Sequence, residues 1–181
     1  MRLPILILSL ALAACGGVRP DPGARPLTDA EYLRSRELMV PVHGVKRGQL
    51  RDTYSAPRSG GRAHLALDIM ARKGTRVLSV DDGTILRITR NELGGKVIYI
   101  ADPARRFVYY YAHLDEWKYG LAEGQRVRRG QLIGSVGTTG NAPSNAPHLH
   151  FQLMRMGTGG RYWSGEPINP IPYLRRTGKE R

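Results

Sequence analysis

The chain has 181 residues, a single cysteine, and 28 Lys plus Arg against 15 Asp plus Glu, for a net charge of +13. That length fits one domain with room for a tether or tail. A hydrophobic share of 41% excludes a disordered chain, and one cysteine excludes an intramolecular disulfide and a Cys-rich metal site. The charge asks for an acidic partner: nucleic acid, an anionic membrane surface or an anionic polymer.

The sequence opens Met1-Arg2 and then runs apolar from Leu3 to Ala14. As a helix that run rises only ~18 Å, short of the ~30 Å hydrocarbon core, so residues 1–14 read as a secretory signal and not as a membrane span. Leu12-Ala13-Ala14-Cys15 resembles a lipobox. The resemblance implies lipidation of Cys15, a lipid anchor in a membrane and a location in the cell envelope. Gly16 in place of Asp favours the outer membrane facing the periplasm if the host is Gram-negative. Export keeps the chain from chromosomal DNA, so nucleic acid is not expected as a partner.

Residues 15–27 hold Cys15 and a Pro/Gly-rich tether. Thr28-Asp29-Ala30-Glu31 is a capping-box pattern, which predicts a short helix over Asp29–Leu38 within a lead-in of residues 28–39. From residue 40 to 174, short Val/Ile/Tyr-rich runs alternate with Gly turns. Strands are expected at Arg76–Val80, Thr84–Arg90, Lys96–Ala101, Phe107–His113, Gln131–Val136 and His148–Leu153. Asp82-Gly83 predicts a two-residue hairpin between the first two, and Gly94-Gly95 a turn before the third. The expected fold is mostly β, a small antiparallel sandwich or barrel-like domain whose loops form a groove. Residues 175–181 are a basic, solvated tail.

Four of the five histidines stand in distinctive settings. His64 and Asp68 form His-x-x-x-Asp, His113 follows Tyr-Tyr-Ala, and His148 and His150 form His-x-His. His43 is read as structural or surface. On a strand, positions 148 and 150 share a face about 7 Å apart. One imidazole can then hold a metal with its neighbour beside the open position, or both can bind if the strand bends. His64 and Asp68 would lie about 13 Å apart if extended, so joint ligation requires a bend between them. Singly, each histidine fits a packed or surface role. As a set, two imidazoles and a carboxylate with a fourth position for water match a catalytic zinc site.

In this order and spacing, His64–Asp68, Tyr111-Ala112-His113-Leu114 and His148–His150 resemble the lysostaphin-like zinc endopeptidases that cut peptidoglycan cross-bridges. Gly124-Gln125-Arg126-Val127, Gly130–Gly134 and Gly137-Thr138-Thr139-Gly140 extend the likeness over about residues 40–155. The resemblance implies one Zn²⁺ per chain on His64, Asp68 and His150, with His113 and His148 as catalytic groups at the fourth position. It also implies a peptidoglycan peptide as substrate, which in a Gram-negative host is the D-alanyl–diaminopimelate cross-link. No organic cofactor is expected, and the chain is expected to act as a monomer. Where some members carry glycine two residues after the first ligand, this chain has Ala66. Where some carry an oxyanion-assisting Tyr, it has Arg58, which with Tyr111 is a candidate substrate contact; Tyr54 is a weaker one. Two rivals are weighed. A non-catalytic envelope protein of this fold would bind peptidoglycan or activate an amidase, but it has no need of all five site residues. A lipoyl-type carrier needs a lysine at a hairpin tip, and none of Lys46, Lys73, Lys96 and Lys118 has that setting.

Overall fold

The computed structural model describes residues 25–57 and 63–176. The signal segment, Cys15, most of the tether, Arg58, Gly60-Gly61 and tail residues 177–181 lie outside the described residues. The elements in chain order are α1 (Asp29–Ser35), β1 (Leu67–Met70), β2 (Arg76–Leu78), β3 (Gly83–Asn91), β4 (Gly95–Ala101), β5 (Phe107–Trp117), β6 (Arg126–Val127), β7 (Leu132–Val136), β8 (His148–Arg155), β9 (Pro167–Ile168) and α2 (Ile171–Leu174). The nine strands among the described residues join one antiparallel sheet in the order β1-β8-β5-β4-β3-β6, with β7 on β2 and β5, and β9 on β8. The sheet does not close into a barrel. No helix among the described residues is long and apolar enough to cross a membrane.

Period-2 alternation divides the central strands into two faces. Leu149, Phe151 and Leu153 of β8, Tyr109 and Tyr111 of β5, Ile98 and Ile100 of β4, and Leu67 and Ile69 of β1 point into one core. Their neighbours on the other face carry the chemistry: Asp68 pairs with His150, His150 with Ala112, Gln152 with Tyr110, and Tyr110 with Tyr99.

Helix α1 starts on the expected capping box, with Thr28 Oγ1 and Glu31 bonded reciprocally. Its Leu33, with Leu38 beyond its end, joins the same core. Tyr32 stacks on Phe107, and Asp29 pairs with Arg106 and Arg155. These contacts sit at the start of β5 and the end of β8. His148 opens β8 and His113 lies six residues along β5 from Phe107, so α1 docks about 20 Å of strand away from them.

One topological expectation is corrected. Asp82-Gly83 does not close a hairpin: β2 pairs with β7, and β3 pairs with β4 and β6. Asp81 takes the chain away instead, buried beneath hydrogen bonds from Arg36 and from the Tyr109 hydroxyl. Gly94-Gly95 does close the β3–β4 hairpin. The helix ends at Ser35, three residues before the predicted end, and β5 and β8 run on to Trp117 and Arg155.

Candidate metal centre

Asp68 and His150 are directly opposed across β1 and β8, which places their Cβ atoms about 5 Å apart on one face. His64 comes from the segment before β1, and the bend required between it and Asp68 lies at Leu65, whose φ is +55°. Ala66 is not in the left-handed region; the special conformation falls one residue earlier than the Ala66 substitution suggested. A left-handed leucine costs roughly 1–2 kcal/mol. Two bonds brace it: Leu65 N–H donates to Tyr54 O at 2.7 Å, and Leu65 O accepts from Gln152 Nε2 at 3.0 Å.

The bend brings three ligand atoms together. His64 Nε2 lies 3.0 Å from Asp68 Oδ1 and 3.1 Å from His150 Nδ1, which is itself 3.0 Å from Asp68 Oδ1. Bonds of ~2.0–2.1 Å to one tetrahedral ion set donors about 3.3 Å apart, so the triangle fits zinc. Its electrostatics agree. His64 Nδ1 lies 2.9 Å from the Thr53 carbonyl, to which it donates, so its Nε2 lone pair faces a carboxylate oxygen and another ring nitrogen. A cation at the centre would be held by all three donor atoms at once. Burial pushes the Asp68 carboxyl up, but the His150 and His64 rings pull it down more strongly, well below the usual carboxylate range.

His113 reaches the groove through a break in the sheet. One edge of β5 pairs with β8 as far as Ala112 and with β7 from Leu114 onward. The Gly137–His148 bridge joins the two partners at that point. Between Tyr111 and Leu114, β5 carries one residue more than β4 opposite. The extra residue is His113, at φ +58°. Plain alternation would turn its ring into the core; the bulge turns it out. Its ring centre lies 4.9 Å from that of His148 and 5.5 Å from that of His150. His113 Nδ1 donates to Thr139 O at 2.8 Å and His148 Nδ1 to Ala146 O at 2.8 Å, so both Nε2 atoms face the groove. Burial holds His113 down to about 4, with His150 and His148 adding to the effect against the Thr139 bond.

The groove, a 470 Å³ cavity, is lined by His64, His113, His148 and His150 together with Tyr110 and Leu93. Tyr111 is corrected as a substrate contact. It is wholly buried, its hydroxyl accepts from Val80 N–H, and its ring packs on Phe151. Tyr110 is the tyrosine on the groove. Tyr54 donates its hydroxyl to Pro167 O and does not line the groove, and His43 is exposed on another surface.

Two positioning residues were not foreseen. Thr53 accepts from Asp68 N–H through Oγ1 at 2.9 Å while its carbonyl holds His64. Thr139 holds His113 through its carbonyl and ties Leu114 O to Lys96 N–H through its hydroxyl. The Thr139 loop packs backbone on backbone against the β3–β4 turn: a Cβ on Gly140, at φ +75°, would fall 2.3 Å from Gly95 N and Leu93 O. Gly140→Ala is therefore expected to lower stability by about 3 kcal/mol, a fall of roughly 6–12 °C in Tm by calorimetry, and to displace His113.

Three donors on a tetrahedral edge spacing, with two imidazoles turned toward the same open position, are the furniture of a mononuclear metallopeptidase. Residues 62–170 match the model of peptidase family M23, and the chain belongs to that family, whose members are zinc-dependent. It is 36% identical over 132 residues to an L-Ala–D-Glu endopeptidase of Bacillus subtilis, covering 69% of this chain and 39% of that one. It is 32% identical over 149 residues to the glycyl-glycine endopeptidase ALE-1 of Staphylococcus capitis, covering 82% and 39%. The chain thus spans about two fifths of the length of these relatives. The catalytic domain of lysostaphin from Staphylococcus simulans superposes with a TM-score of 0.58 at 27% identity, over 72% of this chain and 96% of that domain. A zinc-containing peptidase from Vibrio cholerae superposes at 0.52 with 26% identity, over 67% and 34%.

Proposed function

We propose that this chain is a zinc endopeptidase that hydrolyses peptide cross-links of bacterial peptidoglycan, with His64, Asp68 and His150 holding the ion. The observation that carries the reading is the triangle of donors at 3.0–3.1 Å beside two histidines with tethered Nδ1 atoms. When bound, zinc supplies Lewis acidity toward the scissile carbonyl and toward the attacking water. The Asp68 carboxylate, ionised across the neutral range, contributes the negative charge of the donor set. His113 and His148 turn their Nε2 atoms toward the groove. One takes the proton of the attacking water, and the imidazolium so formed returns it to the departing amine. All five groups come from one chain, which supports action as a monomer.

The two relatives are named for different bonds, so family membership does not select one. The Cys15 motif supports a lipid anchor in the cell envelope. With Gly16 it supports the outer membrane of a Gram-negative host and the D-alanyl–diaminopimelate bond. Mass analysis of purified peptidoglycan treated with the zinc-loaded chain is expected to show a new amine and a new carboxyl terminus at one bond. Release should stop with 1,10-phenanthroline and return with one equivalent of zinc. Intact cross-links after treatment with fully zinc-loaded protein would overturn the hydrolase reading and favour a non-catalytic wall-binding role.

A further inference from the structure

The open face of the sheet continues past the metal centre as a row of rings. Tyr110 stands 6.2 Å from His150, Tyr99 4.6 Å from Tyr110, Tyr162 4.9 Å from Tyr99 and Trp163 4.7 Å from Tyr162, centroid to centroid. Tyr110 and Tyr99 are paired across β5 and β4 on the face that bears His150. Tyr162 and Trp163 come from the excursion between β8 and β9. Beside the row lies a 390 Å³ recess that shares Tyr110 and Leu93 with the catalytic groove and has Glu92 and Gln152 among its polar groups.

We propose that this row is a saccharide-binding platform, which seats an N-acetylated sugar of the glycan strand while the attached peptide crosses the metal centre. The proposal rests on the peptidoglycan reading above. Trp163 is 59% exposed and Leu93 57%, and both border the recess, so apolar surface is left in water around one site rather than at a single side chain. Nor is Trp163 a loose tip. Its loop is braced by Arg155 N–H on Glu166 O at 2.8 Å and by Gly157 N–H on Arg161 O at 3.1 Å, and a Cβ on Gly165 would fall 1.7 Å from Arg155 O. A pyranose offers a slightly positive face of axial C–H bonds and a rim of hydroxyl and amide groups. An aromatic face carries the complementary negative charge, and the Glu92 carboxylate and the Gln152 amide oxygen match the rim. An aliphatic peptide side chain asks instead for a closed apolar pocket. Continuity with the groove is what a substrate joining sugar to peptide requires, and the recess falls within the ~300–1,000 Å³ of ordinary ligand sites.

The test uses the zinc-loaded chain and triacetylchitotriose, with binding followed by saturation-transfer NMR on the sugar. Saturable binding with millimolar affinity is expected, lost in Trp163→Ala and partly retained in Trp163→Phe. In parallel, kcat/KM is measured for a cross-linked peptide with and without its disaccharide. The wild type should prefer the sugar-bearing substrate about tenfold, and Trp163→Ala should bring that ratio near one. No saturable binding at about 10 mM sugar, or binding equal in Trp163→Ala, overturns the platform. So does a substrate ratio unmoved by that variant. Sugar binding with no hydrolysis of either substrate leaves the platform standing and removes the hydrolase reading, so the two failures are distinct.

Discussion

Replacing Asp68 with alanine is expected to empty the metal centre and abolish hydrolysis in one step. Zinc content should fall from one equivalent to below a tenth after dialysis, measured by inductively coupled plasma mass spectrometry, with turnover at the background of the assay. The reason lies in the make-up of the triangle. Asp68 is its one anionic member, and its oxygen lies 3.0 Å from both ring nitrogens. Without it two neutral imidazoles remain, too few to hold the ion against water. The fold should survive: Asp68 is on the open face of β1, while the same strand's Leu67 and Ile69 supply the core. A cooperative unfolding transition with no bound zinc is therefore the expected signature. Thr53→Val gives the graded comparison. It removes the Oγ1 acceptor for Asp68 N–H but keeps the main-chain carbonyl that holds His64. Losing such an outer partner typically costs ~10–100-fold in metal affinity, so Thr53→Val should bind zinc weakly where Asp68→Ala does not bind it.

The candidate donors were legible because each motif is short and its spacing survives folding, but spacing left both His148 and His150 open as ligands, and the choice of His150 came with the family resemblance. His-x-His keeps its common face on β8, and a carboxylate opposite it needs only one antiparallel pairing. What supports the ligands was not legible. Thr53 stands eleven residues before His64 in a stretch without regular structure, and nothing in Arg51-Asp52-Thr53-Tyr54 marks its carbonyl as the partner of an imidazole. The bend at Leu65 hides for a related reason: glycine advertises a left-handed position, leucine does not. Regular alternation counted back from His113 would put Tyr111 on the groove. The bulge at His113 inserts one residue and reverses the phase, so the tyrosine three before it faces the groove and Tyr111 enters the core. Strand β1 escaped notice because four residues, Leu-Asp-Ile-Met, carry too little pattern. The Asp82-Gly83 signal misled because a buried Asp81 redirects the chain, a tertiary effect no dipeptide reports.

His113→Ala is expected to separate chemistry from metal binding. The ring contributes no atom to the donor triangle, so zinc content should stay near one equivalent while kcat falls about 10²–10⁴-fold, the usual contribution of a positioned acid–base group. Because the ring acts on protons in the transition state, KM should move far less than kcat. The pH dependence gives a second readout. Burial, then the neighbouring His150 and His148 rings, hold His113 down to about 4 against an ordinary value of 6.5, so at neutral pH it is a base with its lone pair available. In the unfolded chain the same residue takes its proton near 6.5. Between those values the unfolded state binds more protons, so the native state loses stability as pH falls from about 6.5 to about 4 and loses no more below that. Solvent screening trims the effect to about 2 kcal/mol. Denaturant titrations of the metal-free wild type and of His113→Gln across that window should diverge by this amount, the variant having the flatter profile. Parallel profiles would mean that the ring is solvated and freely protonated, which would also deprive it of the role of proton acceptor assigned to it.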